Sequence, residues 1–338
     1  LVEIIALRRK FYCEASRILP ELRKDSRDIS LLQSDLNPND IVILHLSIGS
    51  EVNDIFPKCT CKKVVRYHNV TPENYFRALD EHLAGLLGRG RVQMKALVNS
   101  ADVNLADSAY NASELVEAGY KDVKVLPLAL ELRRLEAKPN QEVMEKYNDG
   151  KLNVLFVGRC VPNKRLEDLL YAFYYLQKFQ NPNCRLIHVG SFAGTEAYLA
   201  MLQSLKRDLK LEHVNFVGSV PESDLCAYYK VADVFLCMSE HEGFGIPILE
   251  AMQAGIPVMA YASSAVPETM NGAGFLFQEK IFDELAVWIS RLAEEGPLKR
   301  SVLEGQKKRL ESYEKQDVES LLLNHLKPLI NTDILHHV

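Results

Sequence analysis

Short continuous apolar runs alternate with longer amphipathic ones along most of this 338-residue chain. The runs IVILHLS (41–47), KKVVRYHN (62–69), VNLADS (103–108), VKVLP (123–127), LNVLFVG (152–158), RLIHVG (185–190), VNFVGS (214–219), VFLCMS (234–239), PVMAY (257–261) and GFLF (274–277) read as strands. Several are apolar at every position. That is the pattern of strands covered on both faces of a parallel sheet. Between them, apolar residues recur at helical spacing, as over 165–178, 195–209, 221–230 and 246–254. Strand and helix taking turns in this way predict a doubly wound α/β architecture.

The rhythm breaks between 128 and 151. This stretch is polar and carries Pro139, Asn140 and Asn148-Asp149-Gly150, which reads as a connection with a short helix. The expected organisation is therefore a first α/β domain over 1–128, a linker over 129–150 and a second α/β domain over 151–312. A helical segment over 313–338 follows, with the option of packing back on the first domain. Two such domains face each other across a crevice, and a ligand is expected there, at the carboxyl ends of the strands. Residues 3–24 read as helix and then loop. No initial strand and no glycine-rich first βα turn precede the strand at 41, so the numbered sequence is expected to begin part-way into its first domain.

Composition narrows the function classes. Hydrophobic residues make up 47% and charged residues 25%, the balance of a globular protein. The net charge of −5 argues against a general nucleic-acid binder, so no nucleic-acid partner is expected. The first hundred residues carry 15 Lys and Arg against 12 Asp and Glu. This mild excess, including GLLGRGRVQMK (85–95), permits a membrane-side acceptor or peripheral membrane contact, although a solvated mixed surface is the simpler reading. Cys184 and Cys237 lie in apolar runs and read as small core residues. Cys59 and Cys61 form a C-x-C without the second pair that a zinc site needs. No run approaches the ~18 apolar residues that span a bilayer, and no signal peptide is visible. The expected setting is a reducing cytoplasm, with access to the inner face of a membrane. Oligomeric state is not legible.

Two segments carry candidate chemistry. SEHEGFGIPILEAM (239–252) closes a strand and opens a helix, with Pro247 suited to the first turn. A helix start offers unpaired N–H groups and a positive dipole end to an anion. Gly243 and Gly245 let a ligand approach the main chain. Glu242 on the loop and Glu250 on the helix can each grip a pair of hydroxyls. Each residue taken singly also suits a purely structural role, since acids and glycines are common at helix starts; the combination at a strand end favours function. VGRCVPNKRLEDLL (157–170) places Arg159 and Lys164 between a strand end and a helix start, which suits a diphosphate. Arg165 is adjacent, with a solvated face as its expected fate.

With these motifs quoted, the second half resembles the nucleotide-sugar domain of the retaining GT-B glycosyltransferases of glycosyltransferase family four, also known as glycosyl transferases group 1. The match runs in order over about 120 residues: FVGR-x4-K, a strand ending in Gly, V-x-FVG, S-x2-EGFG-x-P-x2-EAM and G-x-PV. The resemblance implies two Rossmann-like domains and a role for each residue. Arg159 and Lys164 would bind the donor diphosphate. Glu242 would hold hydroxyls of the donor sugar and Glu250 those of the ribose. Phe244, Gly245 and Ile246 would offer main-chain contacts, Gly218, Ser219 and Val220 would lie along the base, and Gly190 would line the same crevice. In the first half, the resemblance makes His68 an active-site residue near the donor sugar. His45 is a second candidate, on the acceptor side.

The implied reaction moves a hexosyl group, with retention, from a nucleoside-diphosphate sugar such as UDP-glucose or GDP-mannose to a hydroxyl of a saccharide or lipid-linked acceptor. It would serve polysaccharide or glycoconjugate biosynthesis. The leaving phosphate would help to deprotonate the acceptor, and Glu242 would bind rather than attack. No Asp-x-Asp motif is present, so neither a metal nor a cofactor is expected. Two alternatives remain open: a different GT-B activity, namely a sugar-nucleotide epimerase or a phosphorylase, and a non-catalytic sugar-nucleotide-binding protein.

Overall fold

The computed structural model describes residues 11–13, 26–130, 132 and 137–330. The chain divides into two compact units. The first comprises the chain up to Arg77, Glu81–Ala129 and the segment from Asp317; the second comprises Leu130–Gln316 with Ala78–Asp80.

Unit one is built on a parallel four-stranded sheet. Its strands β3 (Ile41–Leu46), β4 (Lys62–Tyr67), β5 (Val103–Ala106) and β6 (Val123–Val125) lie side by side in chain order. Val64 and Val65 are neighbours on β4 and point to opposite faces, yet both are fully buried. Both faces of β4 are therefore covered, which is why its core positions are apolar without alternation. Helices α1 (Glu81–Ala96) and α2 (Ala109–Glu117) flank the strands in sequence. The Ser108 hydroxyl starts α2 by accepting from the Asn111 N–H. Ahead of the sheet, β1 (Phe11–Cys13) and β2 (Ser26–Asp28) form a separate parallel pair. This corrects the helix expected over 3–24 at residues 11–13, where Phe-Tyr-Cys favours extended pairing; the remainder of that expectation lies outside the described residues.

Unit two holds a parallel six-stranded sheet. In chain order its elements are α3 (Gln141–Tyr147), β7 (Leu152–Val157), α4 (Leu166–Tyr175), β8 (Cys184–Val189), α5 (Glu196–Asp208), β9 (Val214–Gly218), α6 (Glu222–Val231), β10 (Val234–Cys237), α7 (Ile246–Gln253), β11 (Val258–Tyr261), α8 (Val266–Met270), β12 (Phe275–Phe277), α9 (Phe282–Ala293) and α10 (Pro297–Glu314). The strand order is β12-β11-β10-β7-β8-β9. The chain starts in the middle at β7, winds outward through β8 and β9, then returns to β10 and winds the other way. The switch of direction falls between β7 and β10, where an open α/β sheet leaves a crevice at its carboxyl edge. Every residue of β8 and of β10 is buried, and each large apolar side chain so buried stabilises the fold by about 1.5–3 kcal/mol.

The last described helix, α11 (Val318–Leu326), belongs to unit one. Its Leu326 is buried with Val64, Val103, Leu105 and Leu126, and Val318, Leu321 and Leu322 pack around them. Among the described residues, no helix is long and apolar enough to cross a membrane.

Candidate active site

β7 and β10 are hydrogen-bonded neighbours, and the loops leaving their carboxyl ends are tied together. Asn163 Nδ2 donates to the His241 carbonyl at 3.0 Å, and the Glu240 N–H donates to the Asn163 carbonyl at 2.9 Å. Inside this frame, Lys164 Nζ lies 2.5 Å from Glu242 Oε2. Pro162–Lys164 makes one 3-10 turn, and Arg165 takes a left-handed backbone (φ 53°) to start α4. Glu242 is fixed through its main chain: its N–H donates to Ser264 Oγ at 2.7 Å, and its carbonyl accepts from the Ala265 N–H. The two side chains are 18% and 11% exposed. The pair is shielded enough to be held, and open enough to exchange partners with a ligand.

Arg159 follows the end of β7 and is exposed, and its guanidinium makes no hydrogen bond or ion pair with a described residue. Arg165 behaves differently from its expected solvated role. It pairs with Glu167 at 2.9 Å, Glu240 at 3.2 Å and Asp168 at 3.3 Å. Lys280 bridges Asp168 and Glu240 at 2.6 and 3.1 Å. These two cations thus brace the loop that carries Glu242, because acids at the start of α4 and on that loop surround them.

Glycines open the floor beside the pair. Gly190 has φ 152°, and a Cβ there would lie 1.9 Å from the Gly158 carbonyl oxygen. Its N–H donates to the Gly218 carbonyl at 2.9 Å, so the ends of β7, β8 and β9 are joined by bare main chain. Ser219, which follows, is exposed, and Val220 is half-buried. On the other side, Gly245 caps α7 in the left-handed region (φ 91°), with Pro247 in the first turn. Ile246 opens the helix, whose dipole presents positive charge at this end.

Two residues sit deeper than their motif suggests. Phe244 is buried against Tyr313, and its carbonyl accepts from Thr269 Oγ1. Glu250 is 2% exposed and accepts from Tyr229 Oη at 2.8 Å. Nearby thiols are kept neutral: burial, with the Glu242 carboxylate adding to it, pushes Cys237 up to about 11.

In unit one, His45 and His68 meet. His45 Nδ1 lies 2.7 Å from His68 Nε2, and His68 Nδ1 lies 2.6 Å from Asp107 Oδ2. Arg66 Nε donates to the other oxygen of Asp107 at 3.1 Å. Asp107 is 3% exposed, whereas His45 is exposed. Lost hydration, followed by the neighbouring His68 and Arg66, lowers His45 to about 4.

Sequence reasoning missed Asp107, Arg66, Ser264, Asn163 and Tyr229. Asp107 was within reach. Tyr67 pairs with Ala106 in the parallel register, so the next residue on each strand, His68 and Asp107, must emerge side by side. Ser264 and Tyr229 leave no such trace, because they arrive from other loops and helices. The basic stretch 85–95 also changes meaning: Arg89 pairs with Asp54 and Arg91 with Glu114, at 2.6 and 2.8 Å. Little free positive charge is left there for an anionic surface.

The sequence of unit two is that of a known family. Residues 138–309, just over half of the chain, match the family model described as Glycosyl transferases group 1. The chain belongs to the glycosyl transferases group 1 family. The Lys164–Glu242 pair, the glycine floor and the start of α7 all fall within the residues that the family model matches. Among its relatives, this group 1 chain is 32% identical over 148 residues to O-antigen chain mannosyltransferase B of Escherichia coli, covering 44% of this chain and 38% of that one. It is 28% identical over 222 residues to the GDP-mannose-dependent alpha-(1-6)-phosphatidylinositol monomannoside mannosyltransferase of Mycobacterium tuberculosis, covering 61% and 56%. It is also 28% identical over 185 residues to the alpha-monoglucosyldiacylglycerol synthase of Streptococcus pneumoniae, covering 49% and 41%. The chain spans about half the length, or less, of these curated relatives. Among solved structures, HepE of Anabaena in complex with UDP and glucose superposes with a TM-score of 0.65 at 20% identity, over 82% of this chain and 75% of that one. Sucrose-phosphate synthase of Thermosynechococcus elongatus gives 0.70 at 20% identity, over 92% and 77%. These likenesses establish the fold as GT-B.

Proposed function

We propose that the chain transfers a hexosyl group, with retention at the anomeric carbon, from a nucleoside-diphosphate sugar to a hydroxyl of a saccharide or lipid-linked acceptor. The observation that carries this reading is the Lys164–Glu242 pair, held at 2.5 Å at the switch point of the unit-two sheet with Arg159 exposed nearby. A diphosphate needs two cations, a sugar needs a hydroxyl acceptor, and the pair supplies one of each from adjacent loops. GDP-mannose is the first donor to test, because relatives over both the shorter and the longer match are named as mannosyltransferases. UDP-glucose is the second, on the strength of the relative named as a monoglucosyl lipid synthase. The lipid names of two relatives support a lipid-linked acceptor alongside a saccharide.

In this reading, Arg159, Lys164 and the start of α7 lower the energy of the departing diphosphate by placing positive potential where negative charge develops. The two cations Arg159 and Lys164 do the work that a divalent ion would otherwise do, so turnover is expected to survive chelation. Glu242 shares its carboxylate between Lys164 and the sugar hydroxyls. Glu250 takes the ribose, which requires it to share an oxygen that now accepts from Tyr229. Main chain at Gly190, Gly218, Ser219, Val220, Gly245 and Ile246 lies along the base and phosphates. His68 and His45 are assigned to the sugar and acceptor side.

The test is an assay with GDP-mannose and UDP-glucose, each offered saccharide and glycolipid acceptors. Product anomers are read by NMR and nucleotide release is followed. Transfer with retention is expected, and Arg159→Ala or Glu242→Gln should lower it at least about 10²-fold with the circular-dichroism spectrum unchanged. An inverted product, or full activity in both variants, contradicts the proposal. Donor isomerisation without acceptor, or a requirement for free phosphate, would mark the epimerase or the phosphorylase instead. Donor binding with no turnover would mark a binding protein.

A further inference from the structure

The amino edge of the unit-two sheet, opposite the edge that carries Lys164 and Glu242, holds a cleft of about 380 Å³. It lies where Lys151 enters β7, Asn181 precedes β8 and Asp233 precedes β10, with Ser290 from α9 and Glu294 just beyond it. One wall of the cleft is a fixed network. Asn153 is 2% exposed; its Nδ2 donates to the Tyr147 and Val231 carbonyls at 3.0 and 2.9 Å, and its Oδ1 accepts from Arg185 Nη1 at 3.1 Å. Arg185 lies over the Tyr147 ring, 4.9 Å from its centre, and its Nη2 donates to Asp149 Oδ2 at 2.6 Å. The wall is therefore ordered before any ligand arrives, which lowers the cost of binding one.

Other groups in the lining are left with unfilled capacity. Asp233 Oδ2 accepts from the Asn153 N–H at 2.7 Å, but Oδ1 bonds to no described residue. Burial raises the Asp233 pKa, as expected of a carboxylate that has lost water without regaining a full set of donors. Asn181 Oδ1 accepts from the Asn183 N–H, while its Nδ2, the Asn148 side-chain amide and Ser290 Oγ have no partner among the described residues. Charge narrows the choice of ligand. The lining cation, Lys151, is turned to Asp149 at 3.0 Å, as is the buried Arg185 at 2.6 Å, so neither is free to meet a phosphate. No group of three or more metal-ligating side chains occurs among the described residues, so Asp233 has no co-ligands for a cation. Leu152, Val231 and Ala293 add an apolar strip. The matching ligand is neutral, both donates and accepts hydrogen bonds, and has one apolar face. A hexopyranose meets all three demands: each hydroxyl donates and accepts, and its C–H groups form the apolar face.

We infer that this cleft is a second, non-catalytic saccharide site, which binds one neutral hexose unit at the edge of the unit-two sheet away from the donor. Asp233 accepts from a pair of sugar hydroxyls, Asn148, Asn181 and Ser290 donate to others, and the apolar strip takes the C–H face of the ring. The choice of a hexose unit from a glycan acceptor or product rests on the transferase reading above; the site itself rests on the groups in the cleft. All of them belong to unit two.

The test uses the full chain with nitrogen-15 in its asparagines, titrated with methyl α-mannopyranoside, methyl α-glucopyranoside and, as the anionic control, inorganic phosphate. The side-chain amide signals of Asn148 and Asn181 are assigned by their loss in Asn148→Asp and Asn181→Asp. Saturable shifts of both signals are expected with at least one hexoside and none with phosphate. Asp233→Asn keeps the shape of the cleft and should weaken hexoside binding about tenfold, as a charge-assisted contact becomes a neutral one. Ser290→Trp, on the surface of α9, should fill the cleft and abolish the shifts with the circular-dichroism spectrum unchanged. The donor-site variant Glu242→Gln should bind the hexoside as the parent does. No shift with either hexoside, stronger binding of phosphate, or equal affinity in the parent, Asp233→Asn and Ser290→Trp overturns the site. Sugar transfer by a chain whose cleft binds no hexoside overturns this site alone; hexoside binding here by a chain that transfers no sugar upholds the site and sinks the transferase reading.

Discussion

Gly190 shows how tightly the glycine floor at the ends of β7, β8 and β9 is built. Its positive φ and the Gly158 carbonyl 1.9 Å from any Cβ leave no room for alanine. Gly190→Ala is expected to cost about 3 kcal/mol or more, read as a lower denaturation midpoint of unit two. A midpoint within error of the parent would mean the strand ends can part, and the floor is not the fixed surface described. At this scale the sequence was partly legible. Lys164 and Glu242 stood out because each follows a strand end within a dense motif, and the structure brings their side chains together. Glu250 shared the motif but lies buried against Tyr229, since a position well inside α7 turns with the helix. The contact between His68 and Asp107 needed register, which single motifs do not carry.

Among elements, most strands and helices could be read directly. A continuous apolar run such as the fully buried β8 suits a strand covered on both faces, and the rhythm of the chain around it settles strand over helix. The failures are local. Phe11–Cys13 reads as part of a helix by apolar spacing, but pairs with Ser26–Asp28 as a strand, and three residues carry too little period to tell the two apart. The helix expected over 165–178 ends as α4 at Tyr175 and continues to Gln180 as one wider π turn. The partner of α11 is set by tertiary packing alone. Leu326 is 1% exposed among residues of β4, β5 and the segment after β6. Leu326→Ala should therefore destabilise unit one by roughly 2–4 kcal/mol, measured by denaturant unfolding followed with a probe in that unit. A loss below about 0.5 kcal/mol would show that α11 is not part of its core.

For the whole molecule, pH gives a separate handle. His188 is 1% exposed, donates from Nε2 to the Gly158 carbonyl, and is lowered to about 4 by burial. Unfolded, it would titrate at 6.5. Between these values the unfolded chain binds the extra proton, so stability falls as pH drops. The contribution is fully present above pH 6.5 and is lost progressively as pH falls towards 4, to a total of about 3 kcal/mol. His188→Phe should flatten this part of the stability–pH curve of unit two; an unchanged slope would show that His188 does not carry the acid sensitivity.

The central claim is that the switch point of the unit-two sheet is a nucleoside-diphosphate-sugar site. Calorimetric titration of the chain with GDP-mannose and UDP-glucose tests it most directly, alongside Arg159→Ala and Lys164→Ala. The account predicts saturable binding of at least one donor, weakened at least about tenfold in each variant, the loss expected when a charge-assisted contact to phosphate is removed. Binding of neither donor, or equal affinity in parent and variants, would contradict it.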